Sequence, residues 1–263
     1  MKLQQMKNIW IVGASSGIGE ALVKELDQPG RQLFISARRK PVLDEVAKQC
    51  QCSCLPLAMD MTDDDSLDNA VQQIGRVVPS LDMVVINAGT CEYLDASSLD
   101  IELVRRVMET NFFAILKVVK KALPLLKNSQ VYHADATAQL VLMSSSITYQ
   151  PLPRAGAYGA SKSALRFFAE CLQADLQHSD ISLRLVSPGF VKTPLTAKND
   201  FPMPFLISAD EAAKRIVKGL GSSRFDIHFP YRLTLLLKAV ALLPDGIRLK
   251  LVSRLSRQQE SAG

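Results

Sequence analysis

The chain reads as an α/β protein, a doubly wound parallel sheet of about seven strands with helices on both faces. Three observations predict this. Short apolar runs alternate with helical segments along the chain. A glycine turn joins the first of those runs directly to a helix. The chain also has 263 residues, 48% hydrophobic and 22% charged, enough to bury a full core in one large domain. We set that domain at 1–230, with an apolar and basic helical extension at 231–263 packed on or beside it. No internal repeat or long linker divides the chain.

Asn8–Val12 (N-I-W-I-V) is a buried strand that starts close to the first residue, and no targeting segment is expected before it. It runs into Gly13-Ala14-Ser15-Ser16-Gly17-Ile18-Gly19 and a helix to about Asp27. Free amides and the helix dipole then point at a bound phosphate, and the glycines let a diphosphate approach the backbone. The spacing is G-x-x-x-G-x-G, not the G-x-G-x-x-G of the usual dinucleotide fingerprint. A glycine turn alone could be just a tight connection; the strand before and the helix after favour the nucleotide.

Gln32–Ser36 is the second strand and ends at Ala37-Arg38-Arg39. An acidic residue at that place binds the free 2′-hydroxyl of NAD, whereas arginine suits the extra phosphate of NADP. No acid occurs between Gln32 and Leu43, so NADP(H) is preferred and NAD(H) remains an alternative. Two adjacent arginines are otherwise simply solvated. The third strand lies within Ser53–Met59, and Asp60 after it is either a turn acid or a contact to adenine. Asp64 to Val77 is a helix capped by Thr62 or Asp63. Leu81–Ile86 is the fourth strand, followed by Asn87-Ala88-Gly89, small residues where a backbone passes close to a ligand. Ile101 to Leu126 reads as one long helix with Asn111 inside it; asparagine is a poor helix-interior residue, so a buried one needs partners.

Gln139–Met143 is the fifth strand and ends at Ser144, Ser145 and Ser146. Beyond it, Tyr158 and Lys162 stand four apart, on one face of a helix that runs on to Leu176. An ammonium beside a phenol favours the phenolate and lowers the tyrosine pKa toward working pH. Such a tyrosine can exchange a proton with a substrate oxygen. A tyrosine and a lysine four apart also occur as an ordinary surface pair, and the rest of the chain decides between the two. Ser182–Val186 is the sixth strand, ending at Ser187-Pro188-Gly189-Phe190-Val191-Lys192-Thr193; a helix opens at Ser208, and Arg224–Phe229 is the seventh strand.

The motifs G-A-S-S-G-I-G at 13–19, N-A-G at 87–89, Asn111, Ser145, Y-G-A-S-K at 158–162 and P-G-F-V-K-T at 188–193 stand in this order. Together they resemble the short-chain dehydrogenase/reductase family over roughly Lys7 to Phe229. The resemblance implies a Rossmann-type sheet in the order 3-2-1-4-5-6-7 that binds a nicotinamide dinucleotide. It implies Tyr158 as general acid/base, Lys162 lowering its pKa while holding the nicotinamide ribose, Ser145 bonding the substrate oxygen and Asn111 supporting a water in the proton relay, with Tyr158 and Lys162 both touching the cofactor. Gly13, Ser15, Ser16, Gly17, Ile18 and Gly19 would line the diphosphate and ribose, and Asp60 and Met61 would flank adenine. Asn87, Ala88 and Gly89 would run along the cofactor, and Pro188, Gly189, Val191 and Thr193 would meet its nicotinamide end. Arg38, with Arg39 beside it, would take the 2′-phosphate. Two departures stand out: Val12 replaces the usual threonine, and Ile86 the usual first asparagine before N-A-G.

The expected activity is NADP(H)-dependent reduction of a carbonyl or oxidation of an alcohol. The alternatives are a dinucleotide-binding sensor or scaffold, an NAD-dependent alcohol dehydrogenase, and an extended-family epimerase. Phe201, Met203, Phe205 and Leu206 suggest an apolar lid over a hydrophobic substrate, with Tyr149, Leu152 and Arg154 near the same mouth; the same residues could instead only pack the lid down. The net charge of +5 is spread along the chain and argues against nucleic acid. Cysteines at 50, 52 and 54 would share one strand face, with no zinc spacing, and reduced thiols point to the cytoplasm. No metal is expected, and a homodimer or homotetramer is. The apolar run Leu233–Leu243 and the basic-interleaved Ile247–Leu255 leave three readings: packing over the substrate mouth, a subunit interface, or, as the minority, contact with a membrane surface.

Overall fold

The apolar runs become strands that are buried on both faces. A computed structural model of the chain describes residues 3–95, 97–129 and 137–260, with side chains through 253; the end of the predicted extension, 261–263, lies outside the described residues. The main sheet has seven parallel strands: β1 (Asn8–Val12), β2 (Gln32–Ala37), β3 (Ser53–Ala58), β4 (Met83–Ile86), β5 (Ala138–Met143), β6 (Ile181–Pro188) and, after two short strands, β9 (Asp226–Phe229). Its order is β3-β2-β1-β4-β5-β6-β9, the expected Rossmann-type arrangement. The short strands β7 (Val191–Lys192) and β8 (Ile207–Ser208) pair with each other beyond the sheet.

Alternation along each strand feeds two cores. On one face Trp10, Phe34, Val84, Leu140 and Leu183 pack with α3 (Asp64–Val77), the Ala114–Lys127 helix and the Gly156–Asp175 helix. On the other, Ile9, Ile11, Leu33, Ile35 and Val141 pack with α1 (Gly17–Leu26), α2 (Lys40–Lys48) and the Ala209–Leu220 helix. α2 carries Pro at its first turn and buries Leu43 and Val46; the sequence reading did not contain it.

The long helix expected over Ile101 to Leu126 is an unbroken helical run made of α4 (Ile101–Met108), a π turn over Glu109–Phe113, and α5 (Ala114–Lys127). Asn111 sits in the π turn with its side chain fully buried and bonded outside the helix. π turns of this kind insert one residue and leave a helix carbonyl without its usual partner. α6 (Gly156–Asp175), α7 (Ala209–Leu220), α8 (Tyr231–Ala241) and α9 (Asp245–Glu260) complete the helices among the described residues. The three cysteines do not share a strand face. Only Cys54 lies in β3, and Cys50 and Cys52 stand in the connection before it, although all three pack on the α1 side of the sheet.

One buried carboxylate pins the start of the sheet. Asp82, just before β4, accepts from the backbone amides of Lys7 at 2.8 Å and Asn8 at 2.9 Å, and its other oxygen accepts from the Ser129 hydroxyl at 2.9 Å. It joins the beginnings of β1 and β4 to the segment after α5. Leaving those donors unpaired costs about 1–3 kcal/mol each when buried. Asp82→Ala should therefore lower stability by about 3 kcal/mol in urea unfolding, and Asp82→Asn by less. A loss below about 0.5 kcal/mol for the alanine variant would show that the clamp holds nothing.

Candidate active site

The glycine turn between β1 and α1 builds the first wall of the site. Gly13 and Gly17 adopt φ of 85° and 59°, the left-handed region where a residue without Cβ is unstrained. A Cβ at Gly13 would stand 2.5 Å from the Ala88 amide nitrogen, and one at Gly19 would overlap the Gly13 carbonyl. Turn, helix and the Asn87–Gly89 segment thus meet backbone to backbone. Asn87 Nδ2 donates to the Gly13 carbonyl at 2.9 Å and locks the turn to the end of β4. Ser16 is the α1 N-cap and makes no side-chain cap bond, which leaves the first-turn amides free for an anion.

A cleft of about 1340 Å³ runs over the carboxyl ends of the strands, where the strand order reverses between β1 and β4. Small-molecule sites hold roughly 300–1,000 Å³, so this one has room for a dinucleotide and a second molecule. Gly13, Ser15, Ser16, Gly17 and Ile18 line it at the turn. Arg38 and Arg39 line it past β2, and Asp60 and Met61 past β3. Burial pushes the Asp60 carboxyl up, but bonds from the Thr62 amide and hydroxyl, together with nearby Arg38, hold it below the usual range. Asn87, Ala88 and Gly89 line the cleft past β4, and Pro188, Gly189, Val191 and Thr193 past β6. Two expected residues do not line it. Gly19 lies under the turn, where its lack of a side chain permits the close packing. Asn111 is behind the wall: its Oδ1 accepts from the Thr90 amide at 2.8 Å, while Nδ2 donates to the Thr90 carbonyl at 2.8 Å and the Ser161 hydroxyl at 3.0 Å.

Ser145, Tyr158 and Lys162 line the same cleft past β5. Tyr158 and Lys162 lie one turn apart on α6, whose start is kept slim by Gly156, Ala157, Gly159 and Ala160. Lys162 Nζ donates to the Met143 carbonyl at the end of β5, at 2.8 Å. A Cβ on Gly89 would stand 3.1 Å from Asn111 Oδ1 and 3.5 Å from Lys162 Nζ, so the strand-end glycine leaves room for both. Burial opposes the lowering of the tyrosine pKa expected from the lysine. Burial pushes the Tyr158 phenol up to about 12, against a smaller downward pull from the Ser145 hydroxyl. Burial likewise brings the Lys162 ammonium down to about 8, opposed by the nearby Cys91 thiol. Desolvation is the largest cause of both shifts, and it favours the neutral form of each group.

Several lining residues were absent from the sequence reading. Arg105, Arg106, Glu109 and Thr110 form one face of α4 and the π turn on the far rim of the cleft, and Glu92 pairs with Arg106 at 3.2 Å. Their spacing of one and four residues was the available signal. The expected mouth residues lie elsewhere. Tyr149 turns away to give its hydroxyl to Asp226 at 2.6 Å, because β9 offers a half-buried carboxylate that also needs donors. Leu152 lines a separate cavity of about 230 Å³ beside α6. Arg154 pairs with Asp200 at 2.8 Å and lies over the Tyr93 ring. The lid enters the cleft through Pro194, Leu195, Thr196 and Lys198, not through its aromatic residues. Phe201 is held from outside, edge-on to both Tyr93 and Phe190, while Phe205 and Leu206 are exposed. Among the described residues no cluster could hold a metal ion, and the cysteines are free thiols.

Comparison with known proteins adds a lineage to this geometry. The profile of the short chain dehydrogenase family matches residues 7–202. A protein of Myxococcus xanthus described as an uncharacterized oxidoreductase is 32% identical over 240 residues, covering 90% of this chain and 92% of its own. The 11-beta-hydroxysteroid dehydrogenase 1A of Arabidopsis thaliana is 30% identical over 287 residues, covering 97% of this chain and 78% of its own. Among solved structures, a short chain dehydrogenase from Burkholderia cenocepacia J2315 in complex with NADP superposes with a TM-score of 0.79 at 22% identity, over 97% of this chain and 99% of that one. With its family motifs in order along a reversing parallel sheet, the chain belongs to the short chain dehydrogenase family of oxidoreductases.

Proposed function

We propose that this chain reduces a bulky apolar ketone or aldehyde with NADPH, using Tyr158 as the general acid. The observation that carries the reading is one cleft with Ser145, Tyr158 and Lys162 past β5 and a glycine turn with an arginine pair past β1 and β2. The residues fit a dinucleotide. A side-chain-free turn and uncapped α1 amides suit its diphosphate, and Arg38 and Arg39 suit a 2′-phosphate. The Burkholderia structure and a Pseudomonas aeruginosa RhlG structure are both NADP complexes, which supports the same choice; NADH would be the weaker ligand.

When bound, the reduced nicotinamide supplies the hydride. The chain's own residues handle the proton and the charge. Tyr158, a neutral phenol at physiological pH as tyrosines ordinarily are, gives its proton to the substrate oxygen as negative charge develops there. Ser145 donates a second hydrogen bond to that oxygen and fixes it beside the phenol. Lys162, charged below about pH 8, favours the phenolate left behind. Asn111 acts through others, clamping Thr90 and Ser161 so that the π turn and α6 keep their spacing. Relatives named as 11-beta-hydroxysteroid dehydrogenases support a large apolar substrate. Exposed Phe113 and Phe167, 49% and 71% accessible on the π turn and α6, support self-association into a homodimer or homotetramer.

Two variants test this reading. Arg38→Ala should weaken NADPH binding about 10- to 100-fold, the loss of one charge-assisted contact, and leave NADH nearly unchanged. Fluorescence titration of both cofactors checks it, and equal effects on the two would remove the assigned 2′-phosphate contact. Tyr158→Phe should bind NADPH within about twofold of wild type and lose on the order of 100-fold or more in carbonyl reduction. Retained turnover in an NADPH-coupled ketone assay would strip Tyr158 of its role.

A further inference from the structure

The helices after β9 carry an outer surface that no described residue covers. The inner face of α8 is anchored: Leu233 and Thr234 are buried, and Leu233 packs so tightly on Gly189 that a Cβ there would meet its methyl at 2.6 Å. Thr234 Oγ1 also shares a 2.8 Å hydrogen bond with His228 Nδ1 of β9. Tyr231, Leu235, Leu236, Ala239, Leu242 and Leu243 are all exposed, Leu242 at 87%. At 3.6 residues per turn these six fall within an arc of about 140° on the outside of the helix and its last turn. Beyond Pro244, the start of α9 adds exposed Ile247, Leu249 and Leu251.

Charge decides what such a face fits. By sequence, residues 231–260 hold six basic and two acidic residues, whereas the whole chain has 31 and 26. Most of the net positive charge therefore falls in the same stretch of sequence as the exposed leucines. One of the two acids, Asp245, is taken up by Arg248 at 2.6 Å, and Arg232 and Lys250 make no ion pair among the described side chains. A second copy placed on this face by two-fold symmetry would bring two patches of the same sign together. No helix among the described residues is long and apolar enough to cross a membrane. We infer that the outer face of α8 and the start of α9 dock on the surface of a bilayer containing anionic lipid, leucines in the interface and basic residues at the headgroups. The anchor through Leu233 and Gly189 would set the docked surface next to the rim of the cleft. Docking of this kind stands apart from the reaction proposed above and can be measured without turnover.

The test is co-sedimentation of the full chain with vesicles of phosphatidylcholine alone or with one-third phosphatidylglycerol. Wild type should bind the anionic vesicles at least about tenfold more tightly, and added salt should weaken that binding. Arg232→Glu with Lys250→Glu, both on exposed positions, should abolish the preference while leaving NADPH affinity and thermal melting unchanged. Leu235→Ser with Leu242→Ser should lower binding to both vesicle types. Equal partitioning of wild type between the vesicles, or charge-reversed protein that binds as wild type does, overturns the inference. So does a wild type that ignores vesicles while the leucine variant drops in mass by light scattering, which would assign the face to a second copy.

Discussion

A lysine ammonium buried without a carboxylate beside it organises the working end of this molecule. Lys162 reaches from α6 to the carbonyl of Met143, the last residue of β5, and is only 4% exposed. Taking a charge out of water costs several kcal/mol unless its donors are satisfied, so the helix must begin close beside the strand end. The small residues Gly156–Ala160 permit that approach, and Gly89 leaves space for the ammonium on the β4 side. Asn111 completes the arrangement from α4 and α5 by bonding both Thr90, just past Gly89, and Ser161, the neighbour of Lys162. The π turn is the stretch of helix that carries this bond set.

Much of the fold was legible because the sheet is buried on both faces. Runs such as N-I-W-I-V and Q-L-V-L-M have no polar face to confuse them with amphipathic helices, and the strand order followed from the motifs at their ends. The cleft residues were legible for a related reason. Glycines at a turn and a tyrosine four before a lysine state a local geometry that needs no long-range information. α2 went unread because K-P-V-L-D-E-V-A-K buries only Leu43 and Val46, too few apolar positions to fix a period.

What stayed hidden depends on partners far away in sequence. Tyr149 finds Asp226 across 77 positions, and Asn111 finds Ser161 across 50, so neither orientation could be read locally. The tyrosine pKa is of the same kind. Spacing alone points to the lysine, while burial pushes the phenol the other way, and burial is set by the whole sheet and its covering helices. Which way the apolar lid residues face was equally open, and Phe201 takes the packing reading, as a brace between Tyr93 and Phe190 rather than a wall of the cleft.

The central claim is that the site keeps Tyr158 as a half-buried phenol ready to give up its proton. Carbon-13 NMR of the protein labelled at tyrosine Cζ tests it, with the Tyr158 signal identified by its loss in Tyr158→Phe. With a pKa pushed to about 12, that signal should hold its phenol shift from pH 6 to beyond about pH 10. A change to the phenolate shift below about pH 9 would contradict the account, and would return to Lys162 the control over the tyrosine that its position four residues away first suggested.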